Sequence, residues 1–224
     1  AAHAKAGAHD RVILLTDGYI ANGTEPWAVP TQEELGQQKF EIKHLVDANN
    51  FQPYQRDDKT MARPWVMPGT KGLEHRIGGL EKQDITGNVS YDPQNHEKMV
   101  KIRAAKIEKI AQEIPETEVF GPSTGKVLVI GWGNTHGAIS TAVESLQKEG
   151  HAVSSVHLRF INPFPRDLGK LFSKFDKILV PEVNMGQLRM LLRAKYLVDA
   201  IGYNKVQGQP MKISEIKKAI EELL

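Results

Sequence analysis

Residues 126–160 read KVLVIGWGNTHGAISTAVESLQKEGHAVSSVHLRF, and this stretch decides the fold. Residues 126–132 read as a strand that leads into Gly-rich residues. Ile139, Ala142, Val143 and Leu146 follow at helical spacing on one face, and Gly150 ends that helix. Residues 153–160 read as a second strand. A strand, a helix and a strand in so short a span predict a parallel βαβ unit with a right-handed crossover.

The same alternation continues downstream. A short helix carrying Leu168, Leu171 and Phe172 follows Pro165, and residues 177–180 read as a third strand. Leu188, Leu191, Leu192, Lys195 and Val198 mark another helix. Ile213, Ile216, Ile220 and Leu223 mark the last one. Strands alternating with helices predict a three-layer α/β domain with a mainly parallel sheet over residues 123–224.

Upstream the pattern changes. Residues 12–16 (VILLT) read as a buried parallel strand, the last of a sheet whose other strands precede residue 1. Residues 31–122 read as an irregular connection plus one helix, because Pro and Gly recur through the first part and deny long regular elements. Residues 40–43 fit a short strand. Trp27, Phe51, Tyr54 and Trp65 supply anchors, and Trp27 and Trp65 are candidates for contact with a partner. Asp92 and Pro93 predict a helix start, with Asp as the cap and Pro in the first turn. Val100, Ala104, Ile107, Ala111 and Ile114 form its expected apolar stripe, and the helix should end before Pro115.

Composition narrows the function. A hydrophobic share of 40% and a charged share of 25% are those of an ordinary globular protein. A net charge of +2 gives no reason to propose nucleic acid or a membrane surface as partner. No apolar run is long enough to span a bilayer, and a cytoplasmic location is the expectation. The 224 residues include no cysteine, which removes disulfides, a thiol nucleophile and cysteine-ligated clusters from this chain.

Two clusters carry chemistry. The glycines at 131, 133 and 137 lie between a strand and a helix, but a dinucleotide fingerprint needs the third glycine one place earlier. No acidic residue closes the second strand to hold a ribose. A packing turn is the favoured reading, with a free-standing dinucleotide-binding protein as a minor alternative. Glu74, His75 and Arg76 lie between Gly72 and the pair Gly78 and Gly79. An Arg fork suits a carboxylate and a His moves protons near neutral pH, so the trio is either a substrate-binding group or an interface anchor. The eight His residues show no metal-ligand spacing, no metal site is expected, and no catalytic residue is assigned.

Residues 17–27 (DGYIANGTEPW), 51–57 (FQPYQRD), 63–65 (RPW), 68–70 (PGT), 72–82 (GLEHRIGGLEK) and 86–93 (TGNVSYDP) resemble the alpha subunit of 2-oxoacid:ferredoxin oxidoreductases, the 2-oxoglutarate type in particular. Residues 131–133, 157–159, 181–182, 186–188 and 205–208 extend the resemblance. It implies that residues 1–30 end a domain that holds the pyrimidine of thiamine diphosphate. Residues 123–224 would then be a transketolase C-terminal-like domain. The reaction implied is oxidative decarboxylation of a 2-oxoacid, 2-oxoglutarate or alternatively pyruvate or another, with coenzyme A and ferredoxin. Thiamine diphosphate, magnesium and iron–sulfur clusters belong to the full complex, and this chain alone should bind none of them. The family's pyrophosphate motif and a cluster lie on a beta-type subunit, and the catalytic Glu lies in the upstream part of the alpha subunit. This chain would position and assemble the site, being an incomplete subunit inactive alone; the alternative is a non-catalytic docking module of the same complex.

Overall fold

The computed structural model describes residues 13–16, 18–24, 26, 28–36, 44–45 and 48–224. The chain divides into two compact units. Of the described residues, one holds those within 26–114 and the other those within 13–24 and 115–224.

The second unit is built on a five-stranded sheet. Its strands are β3 (Val119–Phe120), β4 (Gly125–Trp132), β5 (Val153–Leu158), β6 (Phe175–Glu182) and β7 (Ala200–Asn204), in the order β3-β5-β4-β6-β7. The pairs β4–β5, β4–β6 and β6–β7 are parallel, and β3 is an antiparallel edge on β5. Side chains alternate across the sheet. Leu128 and Ile130 of β4 pack with Leu168, Leu171 and Phe172, and with Leu188 and Leu192. These come from the helices Leu168–Phe172 and Gln187–Tyr196 on one face. Val127 and Val129 pack instead with Ile139, Val143 and Leu146 of the helix His136–Lys148, and with Ile216 and Ile220 of the helix Ile213–Glu221. A helical layer therefore covers each face, giving the three-layer α/β domain and mainly parallel sheet that the periodicity predicted.

Two strands of this sheet have no counterpart in the sequence pattern. β3 is too short to carry a pattern. β7 buries Ala200 alone, with Gly202 at its centre, because it sits at the sheet edge beyond β6. Leu191 is 45% exposed and Val198 falls beyond the helix end at Tyr196, so that helix buries a narrower stripe, Leu188 and Leu192. Ile213, 44% exposed at the first turn of the last helix, likewise lies off its buried stripe.

Residues 12–16 do not form the expected buried strand where they are described. Ile13, Leu14 and Leu15 are exposed and without regular structure. A strand exists through its ladder partners, and these residues have none among the described residues. Val12 lies outside the described residues.

In the other unit, β1 (His44–Leu45) and β2 (Trp65–Val66) form a parallel pair. Residues 40–43 and Trp27 lie outside the described residues, whereas Trp65 is 40% exposed. The connection is irregular but ordered by backbone bonds. Tyr54 N donates to Ile85 O at 2.9 Å and Gln83 N to Asn88 O at 2.7 Å. Gly87 has φ +73, and a Cβ there would meet the Tyr54 ring at 2.7 Å, so the turn closes on the aromatic only with glycine.

The unit's long helix spans Pro93–Ile110. The Asp92 side chain accepts from Gln94 N at 2.9 Å, the cap expected from sequence. The buried stripe differs from expectation. Met99, Ile110, Ala111 and Ile114 are buried, whereas Val100 and Ala104 are exposed. The face is rotated toward Met99, whose sulfur lies 3.9 Å from the Arg56 guanidinium.

Candidate functional site

The loop 72–82 is pinned at both ends. Leu73 is buried at its start. At its end the buried Lys82 ammonium donates to Gly78 O at 2.6 Å and Leu80 O at 2.7 Å. Between the pins Glu74 and Arg76 are exposed. His75 is half-buried, its Nδ1 2.8 Å from Leu73 O and its ring edge-on to Phe51 at 5.2 Å between centroids. Gly72 has φ +82, which a side chain would strain. The trio is therefore split. His75 is held against the unit, while Glu74 and Arg76 project into solvent and are not brought together by an ion pair.

Beside this loop, within the same unit, lies a pocket of about 480 Å³. Arg56, Arg63, Arg103 and Lys106 line it together with Tyr54 and Glu81, and Met99 and Ile107 add apolar surface. These cations are spread over fifty residues of chain, so no spacing in the sequence marks them as a cluster. The Arg-x-x at 63–65 and the Tyr-x-Arg at 54–56 were motif residues without an assigned role.

In the sheet domain, the C-terminal ends of the parallel strands gather a second polar group. Trp132 ends β4 and Glu182 ends β6. The fully buried Glu182 carboxylate accepts from Trp132 Nε1 at 3.3 Å, Leu188 N at 2.9 Å and Arg189 N at 3.1 Å. It occupies the N-terminus of the helix Gln187–Tyr196, where exposed amides attract an anion. His157 of β5 packs edge-on to His136 at 4.7 Å between centroids. Burial first, and then the charges of His136 and Arg159, push the His157 imidazole down to about 4. Gly131 serves packing: a Cβ there would meet Ile139 Cδ1 at 2.5 Å. Thr135 Oγ1, which donates to Trp132 O at 2.9 Å, closes the turn.

Residues 125–216 match the family described as pyruvate:ferredoxin oxidoreductase core domain II. Over 219 residues the chain is 45% identical to the 2-oxoglutarate oxidoreductase subunit KorA of Mycobacterium tuberculosis, covering 96% of this chain and 33% of that protein. Over 223 residues it is 30% identical to the 2-oxoacid:ferredoxin oxidoreductase subunit alpha of Saccharolobus solfataricus, covering 95% of this chain and 34% of that one. The fold matches 2-oxoglutarate:ferredoxin oxidoreductase from Magnetococcus marinus, solved with 2-oxoglutarate, coenzyme A and succinyl-CoA bound. That match has a TM-score of 0.74 and 29% identity, and covers 80% of this chain and 32% of the other. Along nearly its whole length the chain is similar to alpha subunits of 2-oxoacid:ferredoxin oxidoreductases.

The chain spans about a third of the length of the curated relatives it matches. The sequence has no cysteine to ligate a cluster. Among the described residues no three His, Asp or Glu side chains converge as metal ligands. The start of the helix Gln187–Tyr196, a natural seat for a pyrophosphate, is filled by the chain's own Glu182. No described helix is long and apolar enough to cross a membrane.

Proposed function

We propose that this chain is a positioning and assembly part of the alpha subunit of a thiamine-diphosphate-dependent 2-oxoacid:ferredoxin oxidoreductase. The enzyme would convert 2-oxoglutarate and coenzyme A to succinyl-CoA and carbon dioxide, reducing ferredoxin, in the cytoplasm. The carrying observation is the 45% identity to the 2-oxoglutarate oxidoreductase subunit over 96% of this chain. In this reading the cofactor, its magnesium and the clusters are held by the upstream part of the subunit and by a beta-type partner. Thiamine diphosphate supplies the carbon chemistry when bound.

What this chain contributes is geometry. The rigid sheet domain presents its strand ends, and the loop 72–82 presents Glu74 and Arg76 from two fixed anchors. An exposed guanidinium on a pinned loop is suited to a carboxylate of the 2-oxoacid or to an acidic residue of the partner subunit.

The test is the assembled complex carrying this sequence in its full alpha subunit. Reduction of an artificial one-electron acceptor is followed with 2-oxoglutarate, pyruvate and 2-oxobutyrate in parallel. Preference for 2-oxoglutarate supports the assignment, and equal or greater rates with pyruvate overturn the substrate. If the complex with Glu74, His75 and Arg76 all changed to Ala assembles and keeps full activity, the loop is not part of the site and the chain acts as a docking module.

A further inference from the structure

The pocket bounded by Arg56, Arg63 and Arg103 has a charge imbalance that the proposed function does not use. Among the described residues five cationic side chains line it, Lys82 and Lys106 beside the three arginines, together with one carboxylate, Glu81. That carboxylate is already shared. It lies 2.6 Å from His96 Nδ1 and 3.3 Å from Arg103. Asp84 behind the wall is shared in the same way, between Arg56 at 3.4 Å and Lys98 at 2.6 Å. Lys82 is satisfied by backbone carbonyls and serves the wall rather than the interior.

The arginines are held in place. The Arg63 guanidinium stacks over the Tyr54 ring at 4.4 Å from its centroid, with Arg56 at 5.9 Å from the same ring. Arg63 also reaches Pro53 O at 3.5 Å, which takes one of its five donors. The Arg56 side chain is only 15% exposed. Its basicity is lowered by that burial and, after the opposing effect of Asp84, by the nearby charges of Arg63 and Arg103. Like charges crowded at a partly desolvated wall repel one another until an anion enters.

Size and donor geometry narrow the ligand. About 480 Å³ is the volume of a small-molecule pocket, not a flat protein contact. Planar guanidinium forks match oxyanions bidentately. A carboxylate brings one charge and two oxygens, whereas a phosphate brings nearly two charges and three oxygens, which suits several arginines around one space. The apolar edge of Met99 and Ile107 provides contact for an organic portion.

We infer that this pocket binds the phosphate group of a small phosphorylated metabolite or cofactor. Leu80, Glu81 and Lys82 of the loop 72–82 line the pocket, whereas Glu74, His75 and Arg76 do not.

The experiment is calorimetric titration of the 224-residue chain with inorganic pyrophosphate, with succinate and with coenzyme A, at low and high salt. Pyrophosphate should bind saturably, and more weakly as salt rises. Arg63→Gln and Arg103→Gln should each weaken it about tenfold or more, as expected for loss of a charge-assisted hydrogen bond. Arg103 is half-exposed, so its replacement leaves folding intact, which circular dichroism verifies. Absence of pyrophosphate binding at millimolar concentration overturns the inference, as does binding unaffected by either variant. Succinate binding as tightly as pyrophosphate overturns the phosphate assignment. Binding of coenzyme A that competes with pyrophosphate identifies the source as that cofactor; pyrophosphate binding without competition assigns a different phosphate ester.

Discussion

The indole Nε1 of Trp132 donates to the Glu182 carboxylate at 3.3 Å, tying the end of one central strand to the end of its parallel neighbour. Glu182 has no exposed surface, and its remaining lone pairs take the amides of Leu188 and Arg189. One carboxylate thus joins two strands to the start of a helix.

Replacing Glu182 by Ala strands two backbone amides and an indole N–H. Each unsatisfied buried donor costs roughly 1–3 kcal/mol, some of it recovered by water, so a loss of about 2–4 kcal/mol is expected. Trp132→Phe removes one donor and should cost about 1 kcal/mol. Urea unfolding followed by circular dichroism measures both. Equal, negligible losses would show that the carboxylate is not needed at that helix start.

His157 makes stability depend on pH. Its imidazole is held at about 4 in the folded chain, against an ordinary 6.5. Between those values the unfolded chain binds a proton that the folded chain does not, so stability falls as pH drops through this window. His157→Gln should flatten the decline of melting temperature between about pH 6.5 and 4. Proton NMR gives a direct check: the His157 ring should titrate well below the exposed histidines. A midpoint near 6.5 would contradict the buried environment.

Arg76 is the residue through which the loop 72–82 should act on substrate choice. In the assembled enzyme, Arg76→Ala should raise the apparent KM for 2-oxoglutarate more than for pyruvate. Loss of a charged hydrogen bond to the distal carboxylate implies on the order of tenfold to a hundredfold. An equal rise for both substrates assigns Arg76 to the shared carboxylate or to loop structure. Failure of the complex to assemble, read by gel filtration, assigns the loop to the interface.

The segment 115–224 should fold without the rest of the chain. Among the described residues, both apolar clusters of the sheet are built from side chains within it. A cooperative thermal transition with a near-ultraviolet dichroic signal is the expected outcome. A fragment without either would mean that residues outside 115–224 complete its core.

Much of this architecture is legible in the sequence. The continuous apolar run at 127–130 and the helical spacing of Ile139, Val143 and Leu146 placed the central strand and its covering helix, because burial on both faces leaves no alternation. Asp92 before Pro93 placed a helix start because a cap is a local contact. The Glu74, His75 and Arg76 trio was visible as a cluster, but its division into one packed ring and two projecting charges was not. That division follows from Phe51, more than twenty residues away, which supplies the ring His75 leans on.

What the sequence by itself determined is therefore the three central strands β4, β5 and β6 with their covering helices, the three-layer arrangement and the family resemblance, carried by local periodicity and by ordered motif residues. Tertiary structure alone decided which strands are neighbours, so that Trp132 meets Glu182 across fifty residues. It alone brought Arg56, Arg63 and Arg103 to one pocket, and left Ile13, Leu14 and Leu15 exposed without ladder partners among the described residues. The reason is physical. Period and capping act over a few bonds, whereas charge crowding, buried hydrogen bonds and strand pairing depend on distances that exist only after the chain has folded.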